Sequence, residues 1–118
     1  MARTILIVDD HPSFRTTARA LLAAEGFEVV GEAEDGASAI AAVERLHPEL
    51  VLLDVQLPDM DGFAVAARLG ELNGTGPKIV LTSSRDAADF GRLVEGCGAV
   101  AFVPKAELSG AALRSVLR

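Results

Sequence analysis

With 118 residues, half of them apolar, the chain suits one domain with a substantial buried core, which excludes a disordered protein. Its formal net charge of −6 argues against binding of nucleic acid by this domain, because phosphate contacts need clustered lysine and arginine. No apolar run approaches the roughly 20 residues of a membrane span, and one cysteine, Cys97, suits a reducing compartment, so we expect a cytoplasmic protein.

Five short apolar segments rich in β-branched residues are predicted strands. They lie at residues 4–8, 27–33, 50–53, 79–82 and 99–103. The first, third and fourth are nearly continuous apolar runs, which is typical of central strands covered on both faces. The second strand carries charges, and the last reaches Pro104, which cannot donate to a ladder, so both are expected at the edges.

Helical spacing of apolar residues fills the intervals between these strands. The first helix is expected to begin at Pro12 and to end before Gly26, since proline suits a first turn and glycine the position after the last. The second ends at His47-Pro48, and the third begins with Asp61 as N-cap and ends at residues 73–76. The fourth and fifth are marked by Phe90, Leu93 and Val94, and by Leu113, Val116 and Leu117.

Strands that alternate with helices predict an α/β fold, a doubly wound parallel sheet with helices on both faces. With the second and last strands at the edges, the five-stranded sheet takes the flavodoxin-like order 2-1-3-4-5. In such a sheet the ligand crevice lies at the carboxyl ends of strands 1 and 3, where the strand order reverses.

Polar residues follow the predicted strands at this edge of the sheet: Asp9, Asp10, Asp54, Thr82 and Lys105. Three carboxylates in one crevice repel one another, and Mg²⁺ removes that repulsion because it takes oxygen ligands. Lys105 offers a charge and Thr82 a hydroxyl to phosphoryl oxygens. These are the parts that phosphoryl transfer to aspartate requires, with Asp54 as the acceptor.

Each residue also has a simpler interpretation. Asp10 could cap the first helix, Thr82 could be an ordinary strand residue, and Lys105 a surface lysine. Their joint placement at the strand ends favours a functional site. His11 is expected to be an exposed residue at the start of the first helix rather than a phosphate carrier.

Four stretches of the chain resemble the receiver domain of two-component response regulators. They are ILIVDDH (5–11), LVLLDVQLPDMDG (50–62), IVLTSS (79–84) and GAVAFVPK (98–105), so the resemblance covers residues 1–118 as one domain. It implies that Asp54 takes a phosphoryl group from a partner histidine kinase. It also implies that Asp10, Asp54 and the backbone carbonyl of Gln56 ligate Mg²⁺, while Asp9 acts mainly through a water of the metal.

The same resemblance implies a switch. Thr82 and Lys105 bind the phosphoryl oxygens, and Phe102 falls at the aromatic switch position of the family. Phosphorylation is then expected to repack the face of the fourth helix, last strand and fifth helix, where a second receiver docks. The stretches TSSRDA and PKAELSG resemble receivers attached to helix-turn-helix output domains, so we expect control of transcription by an output domain outside these residues.

Two details depart from the family pattern. Thr82 and Lys105 are 23 positions apart, one more than expected, which predicts an insertion near the fourth helix and leaves Ser83 as a weaker candidate for the role of Thr82. Ala106 follows the lysine, where the family often has proline.

Two functions of other classes stay open. A Mg²⁺-dependent phosphohydrolase would also form an aspartyl phosphate, but Gln56 stands where such enzymes carry a second acid. A degenerate receiver could serve as a scaffold, but the intact set of acids, Thr82 and Lys105 argues against it. We therefore expect a signalling module that catalyses only its own phosphoryl transfer and dephosphorylation, and not an enzyme.

Overall fold

A computed structural model of the chain describes residues 3–70, 77–84 and 98–116. Within these ranges, five strands form one parallel sheet in the order β2-β1-β3-β4-β5, which confirms the predicted flavodoxin-like order. The strands are β1 (Thr4–Val8), β2 (Glu28–Ala33), β3 (Leu50–Asp54), β4 (Lys78–Ser83) and β5 (Ala101–Pro104). The strand that contains Pro104 lies at an edge, as predicted.

Four α-helices and one 3₁₀ turn are described. They are α1 (Pro12–Ala24), α2 (Gly36–Leu46), α3 (Gly62–Gly70), the 3₁₀ turn Lys105–Glu107 and α4 (Gly110–Val116), which corresponds to the fifth predicted helix. The fourth predicted helix, Cys97, Leu117 and the predicted end of the third helix at residues 73–76 lie outside the described residues. None of the helices in the described ranges has the length and apolar character needed to cross a lipid bilayer.

The sheet separates two apolar clusters, because alternate residues of a strand point to opposite faces. On one face, Ile7 and Leu52 pack with Leu22 of α1 and Leu113 of α4. On the other face, Leu53 and residues of α2 and α3 form the second cluster. β1 and β3 are therefore buried on both sides, as their continuous apolar runs predict.

The helix ends follow the chemistry of their terminal residues. Pro12 occupies the first turn of α1, and Gly26 after its end has φ +93°, with the Gly26 N–H donating to Ala23 at 3.1 Å. His47 ends α2 in the left-handed region. Asp61 caps α3 by accepting the Ala64 N–H at 2.7 Å, which confirms the predicted N-cap.

The loop between β3 and α3 is fixed at two points. The Gly62 N–H donates to the Val55 carbonyl at 2.6 Å, and a Cβ at Gly62 would clash with the carbonyl oxygen of Asp54. The Asp59 carboxylate accepts the N–H groups of Gly36 at 2.7 Å and Ala37 at 3.0 Å, which holds the pKa of Asp59 below its usual range. The end of β3 thus has little freedom to move.

We expect Gly62→Ala to lower the free energy of unfolding by about 1–3 kcal/mol, because the added methyl group must push the Asp54 carbonyl aside. The matched control is Gly70→Ala in the same helix, where the methyl group would meet no described atom within 4 Å. That change should raise stability by up to about 1 kcal/mol through helix propensity. Urea unfolding measures both, and equal values for the two variants would contradict the proposed close contact.

Candidate functional site

Two buried carboxylates lie side by side at the carboxyl end of the sheet. Asp9 follows β1 directly and is 0% exposed, and Asp54 is the last residue of β3 and is 4% exposed. Because β1 and β3 are neighbours, with Val8 opposite Leu53, the next residue of each strand enters the same crevice. The polar side chain of Asp54 does not end the ladder, since its backbone still pairs with Thr82.

Lys105, the first residue after β5, brings an ammonium group between these carboxylates. Its Nζ lies 2.6 Å from Oδ2 of Asp9 and 3.5 Å from Oδ2 of Asp54. Oδ2 of Asp9 receives no aligned hydrogen bond from the described residues, so its contact with Lys105 is an ion pair. The ammonium also lies 4.4 Å from the centre of the Phe14 ring. The residues at the carboxyl ends of β1, β3 and β5 therefore meet in one crevice, as predicted.

The two acids respond differently to this environment. Burial, followed by the charge of Asp9, raises the pKa of Asp54 to about 6. Burial also opposes ionisation of Asp9, but Lys105 and the backbone N–H of His11 outweigh it and hold the pKa of Asp9 below its usual range. Asp9 is therefore the ionised partner of Lys105, and Asp54 carries the cost of the second negative charge.

The carboxylates also fit a divalent cation. Four residues each place one possible ligand atom within 4.8 Å of the other three: Asp9, Asp10, His11 and Asp54. Lys105 already pairs with Oδ2 of Asp9, but one ammonium does not balance three carboxylates, and carboxylate oxygens are the ligands that Mg²⁺ prefers. Gln56, whose carbonyl is the remaining predicted ligand, is exposed, and its N–H donates to Oδ1 of Asp54 at 3.2 Å. The structure brings the predicted residues together, and their roles stay predictions.

His11 is exposed at the start of α1, as expected, but it also joins the acidic cluster. Its Nδ1 lies 3.0 Å from Oδ1 of Asp9 and 3.1 Å from Oδ1 of Asp10. His11 occupies the N-cap of α1 without a capping side-chain hydrogen bond, so the alternative role of Asp10 as cap is not seen.

Thr82 and Phe102 lie on the neighbouring strands. Thr82 is buried, and its hydroxyl donates to the carbonyl of Val103 in β5 at 2.7 Å. Phe102 of β5 lies opposite Leu81 of β4. Its side chain is half-buried against the apolar cluster that contains residues of α2 and α3. Phe90 and Leu93, which belong to the fourth predicted helix of the switch surface, lie outside the described residues.

Arg15 of α1 also contacts the site, although no motif in the sequence predicts this contact. Its Nη1 donates to the backbone carbonyl of Asp9 at 2.6 Å, and its Nε contacts Glu32 of β2 at 3.1 Å. Glu32 also binds Arg19 at 2.8 Å, and this hydrogen bond lowers the pKa of Glu32. The Asp9 N–H donates to Ala33, so both backbone groups of Asp9 are fixed. The four-residue spacing of the two arginines places them on one face of α1, but it does not indicate which acid they meet.

The family model of the response regulator receiver domain matches residues 5–118. The transcription regulator BvgA of Bordetella pertussis is 37% identical over 107 residues, which are 91% of this chain and 51% of BvgA. The nitrate/nitrite response regulator NarL of Escherichia coli K12 is 39% identical over 87 residues, 73% of this chain and 40% of NarL. The chain spans about half the length of the first curated relatives it matches.

A solved structure supports the same comparison. The signal receiver domain of a response regulator NarL from Mycobacterium tuberculosis has a TM-score of 0.84 and 32% identity, with 98% of this chain and 97% of that chain covered.

We expect Asp54→Asn to raise the free energy of unfolding by roughly 2 kcal/mol at about pH 7.5 without divalent cations. A carboxyl whose folded pKa is raised contributes stability that is present below its unfolded pKa and lost as the pH rises through about 6. The gain should therefore shrink as the pH is lowered from about 6 to about 4.

Urea unfolding across this pH range tests the prediction. Asp61→Asn is the matched control, because it keeps a capping oxygen at an exposed position and should change stability by less than about 0.5 kcal/mol. A gain for Asp54→Asn that does not vary with pH would contradict the burial of a charged Asp54.

Proposed function

This chain belongs to the response regulator receiver domains, and we propose that it is a phosphorylation switch in which Asp54 accepts a phosphoryl group from a histidine kinase. Receiver domains of two-component systems are phosphorylated by such kinases. The observation that carries the proposal is the Lys105 ammonium, which lies 3.5 Å from the buried Asp54 carboxylate at the crevice of the sheet. An enzyme with its own substrate is disfavoured, since Gln56 replaces the second acid of aspartyl-phosphate hydrolases.

Asp54 suits the role of acceptor better than Asp9. Oδ2 of Asp9 is paired with Lys105 at 2.6 Å, and its Oδ1 accepts the N–H of His11 at 2.8 Å. Oδ1 of Asp54 accepts the Gln56 N–H, whereas its Oδ2 has the longer 3.5 Å contact with Lys105. Oδ2 of Asp54 is therefore the oxygen that we assign as the nucleophile.

In the proposed step, Oδ2 of Asp54 forms a bond to the phosphorus of the kinase's phosphohistidine. The phosphorus–nitrogen bond breaks, and the imidazole nitrogen keeps the electron pair. The Lys105 ammonium then lies close enough to donate to a phosphoryl oxygen, and Thr82 can do the same if its hydroxyl leaves the Val103 carbonyl. These donors stabilise the charge that the transferred group carries.

Asp9, Asp10, Asp54 and the carbonyl of Gln56 would together hold Mg²⁺, which neutralises phosphoryl charge when bound. The negative charge of the acids themselves is the reason why the site favours this cation. Three carboxylates share the crevice with one lysine, so the site has an excess of negative charge.

We further propose that Thr82 and Phe102 pass the signal to the surface formed by β5, α4 and the fourth predicted helix. If Thr82 leaves the Val103 carbonyl for the phosphate, the contacts between β4 and β5 change beside Phe102. Reversal of a two-state equilibrium from 1:99 to 99:1 needs about 5.5 kcal/mol, which a few charge-assisted hydrogen bonds can supply. The repacked surface would bind a second receiver.

The proposal for the whole protein is control of transcription in the cytoplasm. BvgA is named as a transcription regulator and NarL as a response regulator, and both match this chain over its receiver stretch. The receiver domain accounts for residues 5–118, so such control would require an output domain linked to it.

We expect incubation with acetyl phosphate and Mg²⁺ to add one phosphate to the protein, and Asp54→Asn to abolish the addition because the nucleophilic oxygen is lost. Intact-mass spectrometry measures both. The matched control, Asp61→Asn, changes an exposed aspartate of the adjoining loop and should label like the wild type. Labelling that persists in Asp54→Asn would move the acceptor to Asp9 or Asp10.

A phosphate mimic tests the switch separately. With beryllofluoride and Mg²⁺, amide chemical shifts should change in β5 and α4 as well as around Asp10 and Asp54. Thr82→Ala should suppress the distant changes and keep the local ones, because it removes the hydroxyl that leaves Val103. Shift changes confined to the two loops in the wild type would defeat the proposed role of Thr82 and Phe102.

A further inference from the structure

We propose that Phe14 is a positioning residue for phosphoryl transfer, because the face of its ring holds the Lys105 ammonium within reach of Asp54. Lys105 Nζ lies 4.4 Å from the ring centre, inside the distance at which a cation is attracted to an aromatic face. The inference rests on the proposed function of Asp54 and Lys105 and extends it to a residue of α1.

The position of the ring is fixed by α1. Phe14 lies in the first turn, which Pro12 begins, and it packs half-buried against the apolar cluster of β1, α1 and α4. The next residue, Arg15, binds the backbone carbonyl of Asp9. The start of α1 is thus tied to the same acid that pairs with Lys105, so ring, acid and ammonium keep a constant relation.

The ring limits where the ammonium can go. A lysine side chain has four flexible bonds, and it loses much rotamer freedom when its end is held in one place. Here Asp9 and Asp54 approach the ammonium as acceptors, and the aromatic face covers a further side of it. The ring thereby favours the orientation in which Lys105 can meet a phosphoryl oxygen on Asp54.

A purely structural role makes a different prediction. Leucine at position 14 could fill the apolar stripe of α1, but it has no negative ring face for a cation. Fluorine atoms on the ring weaken that face and change its size little. Electron withdrawal from the ring therefore separates attraction of the cation from packing.

The test measures the second-order rate constant for labelling of the full chain by acetyl phosphate with Mg²⁺. We expect Phe14→Leu to lower it by about threefold to tenfold, and Phe14→Tyr to stay within about twofold of the wild type. Site-specific replacement of Phe14 by mono-, di- and trifluorophenylalanine should lower the rate stepwise. The ε-proton resonances of Lys105, shifted upfield by the ring in the wild type, should move downfield in Phe14→Leu.

The outcomes distinguish this inference from the proposed function. If the wild type does not label on Asp54, the proposed function fails. If the wild type labels and the fluorinated series shows one constant rate, Phe14 acts through packing alone and the inference is overturned. The fluorinated series also gives a decisive result if Phe14→Leu fails to fold, because those variants keep the ring.

Discussion

The pairing of two buried carboxylates with one lysine ammonium is the constraint on which the rest of the structure depends. Asp9 and Asp54 are removed from water, and two such charges repel strongly in a medium of low dielectric constant unless a cation lies between them. Lys105 supplies that cation but lies closer to Asp9, and burial together with the charge of Asp9 raises the pKa of Asp54 to about 6. The site therefore gains stability from further positive charge, which makes it responsive to a metal ion and to the chemistry on Asp54.

The sheet holds the two buried carboxylates close together despite their repulsion. Parallel strands deliver their carboxyl ends to one edge, and the register places Asp54 opposite Thr82 on β4. The missing side chain of Gly62 lets α3 begin against the Asp54 carbonyl, and Asp59 joins the same loop to α2. Because the backbone at the end of β3 is held from both sides, the strand cannot shift to carry Asp54 away from Asp9 and relieve the repulsion.

Much of this could be predicted from the sequence, because it follows from periodicity. Continuous apolar runs marked the central strands, Pro104 marked an edge strand, and the acids stood directly after the runs. Strand ends were less predictable: the fourth predicted strand was one residue short at each end, since Lys78 and Ser83 pair through their backbones whatever their side chains. The contacts of Phe14 and Arg15 depend on how α1 docks onto the sheet, and no local pattern encodes that docking.

The residues at the strand ends and those of α1 have different roles because their interactions differ in size. Loss of one partner from a buried charge pair costs several kcal/mol, whereas a cation above an aromatic face contributes about 0.5–2 kcal/mol. The acids and Lys105 therefore determine whether charge can be gathered at the crevice at all. Phe14 and Arg15 act on the same charges with smaller energies, through the ammonium and through the Asp9 backbone. Interactions of that size change a rate constant by factors of ten or so, which lets the α1 contacts tune the site without altering its chemistry.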